Sequence, residues 1–164
     1  MRDEDWFRCF GCAPNSPGGL RLSPRRTGVD QAECEVVFAD GHCSYPGIAH
    51  GGLVGTATDD LMANLVLMER GVLTVSTLLR TRFLLPVRTG TRHLVTARIT
   101  DTWTEAFAAE AEMSTLDGEL CAVSTGTFTP IRAEHLNGLV VPGVAEHAEW
   151  AAYLTGIEKR RSHG

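Results

Sequence analysis

The sequence predicts an α+β domain: one antiparallel sheet wrapped around a single long helix, with a short helical appendage at the C-terminal end. Three observations predict it. A glycine-rich turn, Gly47-Ile48-Ala49-His50-Gly51-Gly52, feeds one long, mostly apolar segment over residues 53–70, and Gly71 suits its C-terminus. Three strand-like runs follow, at residues 74–85, 91–102 and 105–116. Asp117-Gly118 is then a two-residue hairpin signal leading into a last strand at 119–129. A long apolar helix followed by consecutive hairpins is covered most simply by one sheet.

Residues 1–19 are polar and turn-rich, with Asn15-Ser16-Pro17-Gly18-Gly19 as a loop signal. Cys9-x-x-Cys12 invites a metal or redox reading. Zinc would need two more ligands, and the nearest downstream, His42 and Cys43, do not make a recognised finger spacing. A redox pair would want a helix opening after its first cysteine, which Pro14, Pro17 and the glycines oppose. A structural turn is therefore expected, and no metal. A short first strand is expected at 20–26. A second at 32–38 has Cys34 and Val36 inward and Glu33 and Glu35 outward. Residues 40–46 read as loop.

Within the helix, Leu53, Ala57, Leu61, Leu65 and Met68 share one side, and Gly55, Asp59, Met62 and Val66 lie roughly opposite. The second row is small and apolar, which suits close contact with another subunit. Thr56, Asp60 and Asn64 form a narrow polar stripe between the two. Asp59 is the odd residue, because its row neighbours are apolar and burying an unpaired carboxylate is costly or raises its pKa. It is a candidate for function, with a buried hydrogen-bonded structural Asp as the alternative. The helix start adds backbone N–H groups without intrahelical partners, and Gly51 and Gly52 let a ligand approach them.

Beyond Pro130 the pattern changes. Asn137-Gly138 and Pro142-Gly143 are turns, and residues 144–157 have helical spacing. Residues 1–130 are read as the domain and 131–164 as an extension lying on it.

At 164 residues and 43% hydrophobic content, the chain is long and apolar enough for one domain with a real core. A net charge of −5 argues against nucleic acid as a partner. The acidic N-terminus has no apolar signal-peptide region, no apolar run approaches membrane-spanning length, and five cysteines, an odd number, suggest reduced thiols in the cytoplasm. There is no G-x-S-x-G elbow, P-loop or dinucleotide fingerprint.

His50-Gly51-Gly52 with Asp59 nine residues after the histidine resembles the HGG-type hotdog-fold acyl thioesterases of the phenylacetate-pathway and THEM group. Phe83-x-x-Pro86 at the end of the following strand fits the same family. So do the opening Cys9-Phe10-Gly11-Cys12-Ala13-Pro14, the later Gly19-Leu20-Arg21-Leu22, and Tyr45-Pro46-Gly47. The likeness runs from about Trp6 to Pro130. It implies the hotdog architecture and hydrolysis of an acyl thioester of coenzyme A or a phosphopantetheinyl carrier protein. No cofactor and no membrane partner are expected, and the exposed sheet edge such a fold leaves suits a homodimer or a dimer of dimers. By resemblance, Asp59 is base or nucleophile, the Gly51 N–H is the oxyanion donor, and His50 shapes the turn or polarises the carbonyl. A hydroxyl holding the water is Ser76 counting back from Pro86, or Thr77 counting on from Asp59. Gly52, Asp60, Met62, Arg80 and Arg82 are the candidate substrate contacts; Met62, Val66, Leu79 and Phe83 fit an apolar pocket or ordinary core equally. Where some relatives carry an Asn before the HGG, this chain has Ser44 nearby. A non-hydrolytic hotdog module binding an acyl or polyketide-like ligand is the other reading.

Overall fold

The computed structural model describes residues 9–131. The appendage expected at 144–157 lies outside them. The elements are β1 (Arg25–Gly28), β2 (Gln31–Val37), β3 (Cys43–Tyr45), β4 (Ile48–Ala49), α1 (Gly51–Arg70), β5 (Thr74–Phe83), β6 (Arg92–Trp103), β7 (Ala106–Thr115) and β8 (Leu120–Pro130). Six strands form one antiparallel sheet in the order β1-β2-β6-β7-β8-β5, and α1 packs across one face of it. This is the architecture the sequence predicts, with the ends of the expected strands after the first shifted by no more than two residues.

The differences have local causes. The first strand begins at Arg25 rather than at residue 20, because Arg21 takes a left-handed conformation (φ 55) and interrupts the alternation. Leu20 and Leu22 are still buried, but their N–H groups donate to the carbonyls of Phe10 and Gly11 at 2.8 Å each instead of joining the sheet. The expected loop at 40–46 contains a 3-10 turn (Asp40–His42) and β3, which pairs with β4 around Gly47 (φ 78).

Alternation along the strands sorts the sheet into two faces. Cys34 and Val36 on β2, Val95 and Ala97 on β6, Ala111 and Met113 on β7 and Ala122 and Phe128 on β8 point at the helix and are buried. From α1 they meet Ala57, Leu61, Met62, Leu65 and Val66. The other face carries charge pairs between neighbouring strands, among them Arg25–Glu33 and Arg98–Glu110. Helix α1 ends at Gly71, left-handed at φ 64, whose N–H donates to the Leu67 carbonyl at 2.8 Å.

The strand β5 decides how the helix is covered. Ser76 pairs with Phe128 and Leu78 with Thr127, so Thr77 is an extra residue, a bulge. The bulge reverses the alternation. Ser76 before it and Leu79, Thr81 and Phe83 after it all face the helix, opposite inward residues of β8, while Arg80 and Arg82 face away. Strand β5 therefore runs down the helix with Phe83 against Gly51, Leu79 and Thr81 against Gly55, and Ser76 against Asp59.

This corrects one expectation. Three members of the Gly55–Asp59–Met62–Val66 row do not face a second subunit: Met62 and Val66 are wholly buried within the chain, and Gly55 lies beneath β5. The unpartnered surface is β5 itself. It pairs only with β8, and Leu78 is 50% and Phe83 54% exposed.

Gly126 tests the packing under this strand. A Cβ there would lie 2.7 Å from one ring carbon of Phe128 and 3.3 Å from the Met62 methyl, and both side chains are fully buried. Gly126→Ala should lower the unfolding free energy by about 1–3 kcal/mol, the usual cost of overpacking. A urea titration checks it, and an unchanged midpoint would mean that Phe128 moves aside freely.

Candidate active site

His50 caps the helix. Its backbone is extended (φ −64, ψ 128) and its Nδ1 accepts the Gly52 N–H at 2.9 Å, which places the ring proton on Nε2 when the imidazole is neutral. The His50 carbonyl accepts the N–H groups of Leu53 and Val54 at 2.9 and 3.2 Å. Among the described residues nothing accepts from the Gly51 N–H. The histidine thus occupies one donor of the glycine pair and leaves the other, at the positive end of the helix, without an acceptor among the described residues. Beside it an apolar cleft of about 360 Å³ is lined by Ile48, Val54, Phe83, Leu84, Leu85 and Pro86.

Two turns into the helix, the Ser76 hydroxyl donates to Asp59 Oδ1 at 2.6 Å. The bulge makes this pair possible by setting Ser76 on the helix side of β5. Thr77 instead donates to the Thr127 carbonyl at 3.2 Å. Burial pushes the Asp59 carboxyl above its ordinary pKa, and the Ser76 hydrogen bond draws it partly back. Asp59 has no cationic partner among the described residues. A half-buried carboxylate held by one hydroxyl, with a free lone pair, is equipped to take a proton.

Asp60 keeps its polar-stripe neighbour Asn64 and is half-buried beneath the N-terminal turn. It accepts the Cys9 thiol at 3.2 Å and the Asn64 amide at 3.2 Å, and Gly11 presses so close that a Cβ would lie 2.4 Å from its Cγ. Burial raises its pKa first, with Asp59 adding to the rise and the Cys9 and Cys12 thiols opposing it. The N-terminal turn thus covers Asp60 and leaves Asp59 to β5. His42 and Cys43 do not join the two cysteines. His42 is held by the Ala39 N–H and the Gly18 carbonyl at 3.1 and 2.8 Å, and Cys43 is exposed.

The remaining candidates are spread out. Met62 and Val66 are core, while Leu79 and Phe83 are exposed on the inward face of β5. Arg80 and Arg82 lie on the opposite face of the sheet from Asp59. One polar group was missed by pattern alone. Thr58, one residue before Asp59, bonds through its hydroxyl to Ser124 at 2.8 Å, and Ser124 bonds to Thr81 at 2.9 Å. This chain of hydroxyls ties α1 to β8 and β5. The small inward positions Gly126 and Ser124 on β8 were its only trace in the sequence.

The thioesterase superfamily profile matches residues 46–122, which contain the helix, β5, β6 and β7. No curated protein matches the chain. Among solved structures, a thioesterase superfamily protein designated RHA08564 aligns over 74% of this chain and 63% of its own length, at 16% identity and a TM-score of 0.67. This chain therefore spans less than two thirds of that protein. Zebrafish thioesterase superfamily member 2 aligns over 72% of this chain and 90% of its own, at 22% identity and a TM-score of 0.64. A Streptococcus mutans UA159 protein bound to acetyl CoA aligns over 67% and 88%, at 18% identity and a TM-score of 0.61. Identities this low speak for the fold, which is the hotdog fold, and the thioesterase superfamily profile is matched over the part of the chain that holds the helix and the strands beside it.

Proposed function

We propose that the protein hydrolyses an acyl thioester of coenzyme A or of a phosphopantetheinyl carrier protein. The observation that carries this reading is the Ser76–Asp59 pair, a half-buried carboxylate with a raised pKa on the same helix as a free Gly51 N–H. The acetyl CoA bound by the Streptococcus mutans protein of the same fold supports coenzyme A as the carrier. The free thiols and the lack of any described helix able to cross a membrane are compatible with a cytoplasmic enzyme.

In the reaction, the thioester oxygen takes the Gly51 N–H and the acyl chain enters the apolar cleft beside Phe83 and Leu85. Ser76 donates to Asp59 and offers its own oxygen to a water, so the water sits beside the base. Asp59 removes a proton as the water oxygen bonds to the carbonyl carbon. The tetrahedral oxyanion collapses, the carbon–sulfur bond breaks, and the proton on Asp59 passes to the leaving thiolate. This placement of Ser76 favours the base reading over direct attack by Asp59.

Distance argues that two chains build each site. Gly51 and Asp59 are eight residues apart, about 12 Å along the helix axis. One carbonyl and one water bridge less than that. A second copy, laid against the free edge of β5, can bring its own Asp59 to this Gly51 and cover the exposed Leu78 and Phe83. We therefore place the site between subunits of a homodimer, with a dimer of dimers as the larger assembly.

Two sets of variants test this. In a thiol-release assay over a panel of acyl-CoAs, Asp59→Asn should lose turnover on the order of a hundredfold or more, with the fold kept. Ser76→Ala should lose on the order of tenfold, the scale of a hydrogen bond to a charged group. A fully active Asp59→Asn enzyme would place the chemistry elsewhere. A wild type that binds acyl-CoA and releases no thiol would favour the binding module.

Gly51→Pro removes the N–H at the one helical position that accepts proline, and the extended His50 suits a following proline. It should cost on the order of a hundredfold or more in turnover. Refolding an equal mixture of Asp59→Asn and Gly51→Pro chains should then restore about a quarter of wild-type activity, since half the dimers are mixed and each has one intact site. No recovery in dimers shown to be mixed would mean that each chain acts alone.

A further inference from the structure

We propose that Cys9, Cys12 and Asp60 bind a zinc ion that fastens the N-terminal turn to helix α1. The Sγ atoms of both cysteines and a carboxylate oxygen of Asp60 all lie within 4.8 Å of one another, and Cys9 Sγ is 3.2 Å from Asp60 Oδ1. In a tetrahedral zinc site, bonds of about 2.3 Å to sulfur and 2.0–2.2 Å to oxygen set neighbouring ligand atoms about 3.5–3.8 Å apart. The three ligands are thus gathered at close to coordinating separation, and they need only small side-chain adjustments to close on an ion.

The surroundings are those of a held ligand set rather than of loose surface groups. The turn is fixed from within by the Ala13 N–H to the Cys9 carbonyl at 3.1 Å, and from outside by Leu20 and Leu22 donating to Phe10 and Gly11. Gly11, between the cysteines, has no Cβ, which is what allows the turn to close on the carboxylate. Asn64 holds the second oxygen of Asp60 with its amide at 3.2 Å and the Asp60 carbonyl at 2.8 Å, so the first is left to face the thiols. Among the described residues no Lys, Arg or His pairs with Asp60. A divalent cation would supply the countercharge that Asp60 lacks among the described residues.

Cys-x-x-Cys is a common zinc spacing, and two thiolates with one carboxylate are a donor set zinc accepts. Each thiol gives up its proton on binding, and a water completes four-coordination. Spacing along the chain pointed away from a metal because the third ligand is supplied by the helix, 48 residues after Cys12.

The test uses the full chain, purified without chelator and dialysed against zinc and then against buffer. Elemental analysis should find about one zinc per chain. The Cys9→Ser/Cys12→Ser double variant and Asp60→Asn should lose it, and Cys43→Ser should keep it. The wild type loaded with cobalt(II) should show thiolate-to-metal charge transfer in the near ultraviolet and tetrahedral d–d bands in the red, a readout that needs no variant to fold. Zinc well below stoichiometry after loading, with no tetrahedral cobalt spectrum, would overturn the proposal. So would zinc retained by the double variant, zinc lost from Cys43→Ser, or a Cys9–Cys12 disulfide in the zinc-treated protein.

Discussion

The structure depends on how closely β5 approaches α1. Gly51 and Gly55 present no side chain to the strand, so Phe83, Thr81 and Leu79 lie directly on the helix backbone. That contact sets Ser76 beside Asp59 and closes the last side of the core over Met62 and Val66. A Cβ alone would fit at Gly55, 3.7 Å from Thr81 Oγ1 and 3.8 Å from Leu79 Cδ2, but a longer side chain would lift the strand. The core would open and the carboxylate would lose its hydroxyl together. Stability and chemistry are coupled here through one shared gap.

Two adjacent carboxylates meet different fates because a helix turns about 100° per residue. Asp59 points towards β5 and keeps an open side. Asp60 points towards the N-terminal turn and is enclosed by thiols, an amide and a glycine. Both are pushed towards neutrality by burial, yet Asp59 is held by one hydroxyl where Asp60 is held by a thiol and an amide. The division of labour follows from register alone.

Much of the fold was legible because it rests on local periodicity. The apolar run over 53–70, its glycine terminus, and the alternating strands with Asp117-Gly118 between the last two each declare themselves within a short window. Asp59 was legible as an acid in an apolar row. What stayed hidden depends on insertion or on distance. The Thr77 bulge adds one residue without any composition signal, and it made Ser76 and Thr77 indistinguishable by counting. It also sends Arg80 and Arg82 to the face opposite the one a regular strand would give them. The clasp of Cys9 on Asp60 joins residues 51 positions apart, and no spacing rule reaches that far. The small apolar row on the helix was visible, but the partner it meets, the same chain's own strand, was not.

The hydroxyl chain Thr58–Ser124–Thr81 bears on how this sequence can drift. Ser124 bonds both threonines, and Thr58 also reaches the Gly55 carbonyl at 2.9 Å, so losing one member leaves its neighbour with one partner fewer, whereas replacing all three with apolar groups of similar shape removes the hydroxyls together. Single substitutions are therefore penalised where the triple one is tolerated. In relatives the three positions should change as a set, polar together or apolar together. Since they join the helix to both strands, a lineage crossing from one state to the other passes through forms in which the helix that carries Asp59 is least firmly held.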